Sequence, residues 1–189
     1  MAQRQAWLEQ IANLDLTRLV FVDETGAKTN MTRLYGRAEG GQRVVDSAPH
    51  GHWGTTTLLS SIRLDGSTAP MVIEGPTDAD VFVAYVQQVL VSSLRSGDIV
   101  VLDNLSPHKM PAVEAAIHAA GAKVCFLPPY SPDLNPIEQM WSKVKAFLRA
   151  LKARTLDALI AGIRDALRSV TPADATGWFS HCGYVAMQH

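Results

Sequence analysis

Three acidic residues stand where this chain could do chemistry. Asp23 closes the run "LVFVD" and Asp103 the run "IVVLD". Each follows four apolar residues, a pattern that suits a strand buried on both faces of a sheet. If the two strands are parallel neighbours, both carboxylates emerge at the carboxyl edge, where open α/β sheets hold their ligands. Two carboxylates there repel each other unless a cation lies between them. On that ground Asp103→Asn is expected to stabilise the metal-free chain. An aspartate at a strand end can also be a turn former or a helix cap, and that reading stands beside the first.

Glu138 is the third acid. It lies in "FLPPYSPDLNPIEQMW", where Asn135 reads as the N-cap of a helix, Pro136 as its first residue and Glu138 as its third. That is an Asn-x-x-Glu capping box, which needs no catalysis to explain it. On a helical wheel Ile137, Met140, Trp141, Val144, Phe147, Leu148 and Leu151 form one apolar face. Glu138 lies off it, in a stripe with Ser142, Lys145, Arg149 and Lys152. The stripe is either surface pairing worth tenths of a kcal/mol or a metal-binding acid whose helix flank meets a phosphate backbone. The 34 residues between Asp103 and Glu138 suffice for one helix, one strand and the proline turn. Three carboxylates at one edge suit Mg²⁺, which keeps room for water and substrate phosphates. Two such ions about 4 Å apart can drive an in-line displacement at phosphorus.

The elements that must position these acids follow from the pattern. "QAWLEQIANL" is a short helix and "TRLVFVDE" a strand ending in acid. Residues 25–53 form a Gly-rich basic excursion, with short strands expected at "RLYGRA" and "QRVVDS". "TTTLLSSIRLDGSTAPMVIEG" reads as a hairpin around Asp65-Gly66-Ser67. "TDADVFVAYVQQVLVSSL" is a helix, "GDIVVLDN" a strand, "MPAVEAAIHAAG" a helix stopped by Gly121, and "AKVCFLPP" a strand. "NPIEQMWSKVKAFLRAL" and "TLDALIAGIRDALRSV" are helices, the second capped by Thr155. The expected fold is α/β: a mixed five-stranded sheet, three antiparallel strands then two parallel, flanked by helices.

Composition bounds the rest. The chain has 189 residues, 47% of them apolar, with a net charge of −1. Its length suits a single domain spanning 1–189. The near-neutral balance lacks the strongly basic footprint of a nucleic-acid-binding domain. Two basic stretches stand out locally: Lys28, Arg33, Arg37 and Arg43, then Lys143, Lys145, Arg149, Lys152 and Arg154. Cys125 and Cys182 form no zinc-finger spacing; they read as free thiols, with a disulfide as the alternative. His50 and His52 lack the further Cys/His partners of a zinc site. Trp53 and Trp141 are expected in the core. No signal peptide or membrane span is visible, so a cytoplasmic protein is expected.

Four blocks in order, "LVFVDETG", "TRLYGRAEGGQRV", "VVLDNLSPHK" and "FLPPYSPDLNPIEQMWSKVK", resemble the catalytic domain of bacterial insertion-sequence transposases in the mariner superfamily. The likeness covers nearly the whole chain, down to "WFSHCGY", and the 34-residue spacing is that family's pattern. It implies a DDE endonuclease domain of ribonuclease H-like fold. It also implies DNA strand cleavage and strand transfer at transposon ends with Mg²⁺, Mn²⁺ as substitute, and two ions in the site. Carried over by motif, the catalytic metal ligands are Asp23, Asp103 and Glu138, with no other cofactor. His108 and Lys109, beside Asn104 in "DNLSPHK", are expected to contact DNA or orient phosphate; a packed loop histidine is the alternative for His108. Glu24 is expected to point away from Asp23 and pair with a basic residue. Arg33, Arg37, Arg43, Lys145 and Arg149 are expected along the DNA backbone, with a solvated basic loop as the alternative for the three arginines.

The implied partners are double-stranded DNA, both transposon terminal repeats and target, and a second copy of the chain in a homodimer. The family's helix-turn-helix region is expected to be absent here, so the chain reads as the second product of a split reading frame, partnered by a separate helix-turn-helix protein from the upstream frame, or as a fragment, or as a remnant. The implied setting is the bacterial cytoplasm, at the nucleoid when acting. Two alternatives stay open: a stand-alone ribonuclease H-like nuclease, and a non-catalytic remnant that binds DNA or a transposase.

Overall fold

The computed structural model describes residues 2–11, 14–45 and 54–185, and the run before Asp23 lies at the centre of its sheet. Strand β1 (Leu19–Ala27) pairs antiparallel with β2 (Thr56–Ile62), which pairs antiparallel with β3 (Met71–Glu74). On its other side β1 pairs parallel with β4 (Ile99–Leu102), and β4 parallel with β5 (Lys123–Phe126). The order is β3-β2-β1-β4-β5, the mixed five-stranded sheet expected.

Alternation along β1 explains its place. Leu19 and Phe21 face one helical layer, Val20 and Val22 the other, and all four are at most 1% exposed. Full burial of such a side chain contributes about 1.5–3 kcal/mol, so only a strand covered on both sides satisfies this run. The first layer holds α1 (Ala2–Ile11), α5 (Pro136–Leu151), α6 (Leu156–Arg168) and α7 (Pro172–His181). The second holds α2 (Ala79–Tyr85), which runs through a π-turn at Val86–Leu90 into α3 (Val91–Ser93), and α4 (Pro111–Ala119).

Four local expectations are corrected. Residues 33–38 and 42–45 form no strand: Leu34, Tyr35 and Val45 are exposed, and among the described residues no strand pairs with them. The rest of "QRVVDS", with His50, His52 and Trp53, lies outside the described residues. Helix α7 was not expected; a reciprocal capping box between Thr171 and Asp174 starts it. Strand β1 does not end at Glu24, the close of "TRLVFVDE", but runs on to Ala27, paired there with β2 alone. On α5, Phe147 and Leu151 of the supposed apolar face are exposed, while Trp141 is buried as expected. Cys125 and Cys182 are free thiols. No helix among the described residues is long and apolar enough to cross a membrane.

Candidate active site

Three elements deliver the three acids. Leu19 faces Ile99 and Phe21 faces Val101, so the same step carried two residues on brings Asp23 level with Asp103. Asp103 is the first residue beyond β4, at the edge where the parallel ladder between β1 and β4 stops. Glu138 is the third residue of α5. All three line one cavity of about 360 Å³, with Asn104, Leu105, Leu127, Asn135 and the proline loop 128–132.

The loop between β5 and α5 is braced at both ends. Leu127 N–H donates to Leu102 O at 2.8 Å, and the Asn104 amide donates to Leu127 O, so the ends of β4 and β5 stay joined past the ladder. Arg4 of α1 pairs with Asp133 and donates to Ser131 Oγ at 3.2 Å. Between these anchors Tyr130 is fully exposed with a left-handed φ of 54°, rare for a bulky residue. The loop ends in a 3₁₀ turn, Pro132–Leu134.

That turn overrides the expected capping box. Asn135 N–H already donates to Pro132 O at 3.0 Å, so Glu138 has no free N–H to reach back to. The Asn135 side chain makes no capping bond either, and its Oδ1 is buried without a partner. Asn135 and Pro136 keep their expected positions at the start of the helix, but the Glu138 carboxylate is left for the cavity.

Electrostatics separate the two aspartates. Asp23 is 8% exposed, and its carboxyl is pushed up to about 8 by burial first, then by the charge of Glu138, with Glu24 and Asp103 adding to it. The Glu24 N–H bond to Asp23 Oδ1, 2.8 Å, works against that rise. For Asp103 burial also acts to raise the carboxyl. His108, the Leu105 N–H at 3.0 Å and Lys109 outweigh it and hold Asp103 below the usual carboxylate range.

His108 sits behind this edge. Its side chain is fully buried, with its ring centroid 4.1 Å from that of Phe82. Nε2 lies 3.0 Å from Glu24 Oε2. Nδ1 lies 2.5 Å from Asp103 Oδ1, a close ionic contact rather than a well-directed hydrogen bond. Burial lowers the imidazole's proton affinity, but the Asp103 and Glu24 contacts dominate and raise its pKa to about 9. This burial corrects the expectation that His108 touches DNA, and it is the packed histidine that was the alternative. Glu24 does pair with a basic residue, as expected, yet through that residue it reaches back to Asp103. No sequence signal marks this contact, because 84 positions separate Glu24 from His108.

The other basic residues lie outside the acidic cavity. Arg33 and Arg37 line a separate, open cavity with Tyr35, Val44 and Lys152, and Arg43 is exposed nearby. Lys109 is exposed, its Nζ 5.8 Å from the Phe126 ring centre. Lys145 and Arg149 are half-buried along α5. Among the described residues no three His, Cys, Asp or Glu side chains stand close enough to grip an ion without rearrangement.

Comparison with known proteins places this geometry. The family described as DDE superfamily endonuclease matches residues 18–160. Among solved structures, a Mos1 transposase paired-end complex with left transposon end aligns at a TM-score of 0.74 and 15% identity, covering 95% of this chain and 56% of that one. The Mos1 strand transfer complex aligns at 0.73 and 17%, with the same coverage. The catalytic domain of Mos1 mariner transposase aligns at 0.62 and 13%, covering 95% of this chain and 84% of that domain. The chain thus spans little more than half the length of the transposase chains in those complexes, and it shares their ribonuclease H-like fold. No curated protein matches the sequence.

Proposed function

The chain belongs to the DDE superfamily endonucleases, and from that membership we propose that it is the catalytic domain of a mariner-superfamily transposase of the bacterial insertion-sequence type. Its reaction is divalent-metal-dependent cleavage of DNA strands at transposon ends and their transfer to target DNA. One observation carries the reading: Asp23 on β1, Asp103 just past the end of the parallel β4, and Glu138 at a helix start line one cavity.

The donor set fits a hard cation, because it offers carboxylate oxygens only. Asp23 Oδ1 is held by the Glu24 N–H and Asp103 Oδ1 by the Leu105 N–H, so each has its second oxygen to offer. Asp23, Asp103 and Glu138 are the residues that would hold Mg²⁺, or Mn²⁺ in its place. Two such ions, when bound, activate the attacking oxygen and stabilise the leaving one. The protein's own part is to fix the carboxylates and to lay the DNA across the edge. Arg33, Arg37, Arg43, Lys109, Lys145 and Arg149 are the cations for the phosphate backbone. The partners proposed are double-stranded DNA, a second copy of the chain, and a separate helix-turn-helix protein that reads the ends.

Nicking of plasmid DNA carrying the sequences that flank the gene tests this. With Mn²⁺ or Mg²⁺ the wild type should nick, alone or with the upstream-frame partner. Asp103→Asn and Glu138→Gln should nick at least about 100-fold more slowly. Equal nicking by wild type and variants would remove Asp103 and Glu138 from the mechanism. Nicking without joining would leave a hydrolytic nuclease.

A further inference from the structure

The buried histidine behind the acidic edge has no access to DNA, yet it joins an acid of β1 to the acid that follows β4. We propose that His108 and Glu24 are positioning residues that fix Asp103 so that one oxygen alone faces the cavity. The inference rests on the reading of Asp103 as a metal ligand.

The geometry is specific. Successive side chains of a strand leave opposite faces, so Asp23 turns to the cavity while Glu24 turns to the layer of α2. There Glu24 Oε2 lies 3.0 Å from His108 Nε2, and the far side of the ring, Nδ1, lies 2.5 Å from Asp103 Oδ1. Phe82, itself fully buried, packs on the ring at 4.1 Å between centroids and keeps it from turning. The Leu105 N–H takes the same Asp103 oxygen at 3.0 Å. Oδ1 is thereby engaged twice, and Oδ2 is the atom left to bind. A carboxylate held this way loses little rotational freedom when it takes an ion, and it cannot swing to chelate with both oxygens. Partners behind a ligand are worth about 10–100-fold in metal affinity.

The two amide substitutions of His108 separate positioning from packing. An asparagine amide nitrogen reaches the place of Nδ1, so H108N keeps an N–H against Asp103 Oδ1 while giving up the imidazolium charge. A glutamine amide nitrogen reaches the place of Nε2, so H108Q keeps only the contact to Glu24. Mn²⁺ binding to the purified full chain, followed by the loss of the free-ion electron paramagnetic resonance signal, needs no DNA and no turnover. Thermal melting of each variant without metal shows which ones fold. H108N should bind Mn²⁺ within about 3-fold of wild type, and H108Q about 10–100-fold more weakly. E24Q, at a partly exposed position, keeps an acceptor for Nε2 and should fall between them. If H108N and H108Q bind with equal affinity, or H108Q binds more tightly, positioning is overturned while the metal site stands. If the wild type binds no Mn²⁺, the metal reading fails and this inference falls with it.

Discussion

Asp23 is the carboxyl the fold holds in its least favourable surroundings. Burial and the charges of Glu138, Glu24 and Asp103 raise it from 3.8 to about 8. A carboxyl raised on folding gives stability that is present below its unfolded value and lost as the pH climbs through the folded one. For Asp23 that loss spans pH 3.8 to about 8. His108, raised from 6.5 to about 9, has the same sign: its contribution is whole below 6.5 and gone above about 9. Asp103, held low, acts oppositely and withdraws stability only as the pH falls to the acid end. The metal-free protein should therefore lose about 5 °C of melting temperature between pH 6.5 and 9, on the order of 1–2 kcal/mol for a chain of this size. Asp23→Asn should flatten that slope, and Mn²⁺ should restore more stability at pH 8.5 than at 6.5. Calorimetric melting across this range checks all three; a flat profile for the wild type would contradict the burial of an ionisable Asp23. Like-charge repulsion alone lets the gain from removing a charge fall at Asp103. The structure moves it to Asp23, because Asp103 has His108 while no cation among the described residues offsets Asp23. That distinction was illegible in the sequence, where the two aspartates end matching apolar runs.

At the scale of elements, the sequence spoke clearly wherever one local pattern acted alone. Two four-residue apolar runs marked β1 and β4, and Gly121, with φ 78°, stops α4 where expected. It misled where neighbouring patterns competed for one group. Asn135-x-x-Glu138 has the letters of a capping box, but the preceding 3₁₀ turn takes the N–H the box requires. Thr171-x-x-Asp174 has a true box, with Thr171 Oγ1 accepting from Asp174 N–H at 3.1 Å and Asp174 accepting from Thr171 N–H at 2.9 Å. Thr171→Ala should accordingly cost about 1 kcal/mol of stability, and Asn135→Ala less, since no capping bond is lost there. Chemical denaturation of the two variants measures the difference; a larger loss at Asn135 would mean that its side chain supports the helix start after all.

On the scale of the whole molecule, burial of the sheet on both faces was legible and the convergence of the acids was only partly so. Two strands with apolar runs must lie centrally, and that puts Asp23 and Asp103 at one edge. The place of Glu138 depends on the proline loop and on Arg4, 129 positions away from its partner Asp133, which no local pattern encodes. The near-zero net charge likewise hides the division of the surface into an acidic cavity and separate basic residues on the 33–45 excursion and α5. The central claim is that three carboxylates from three elements form one divalent-cation site. Anomalous diffraction from a crystal soaked in Mn²⁺ tests it most directly. Density is predicted in the cavity, with oxygens of Asp23 and Asp103 about 2.0–2.2 Å from an ion and Glu138 turned toward it. An ion bound elsewhere, or a cavity still empty at saturating Mn²⁺, would contradict it.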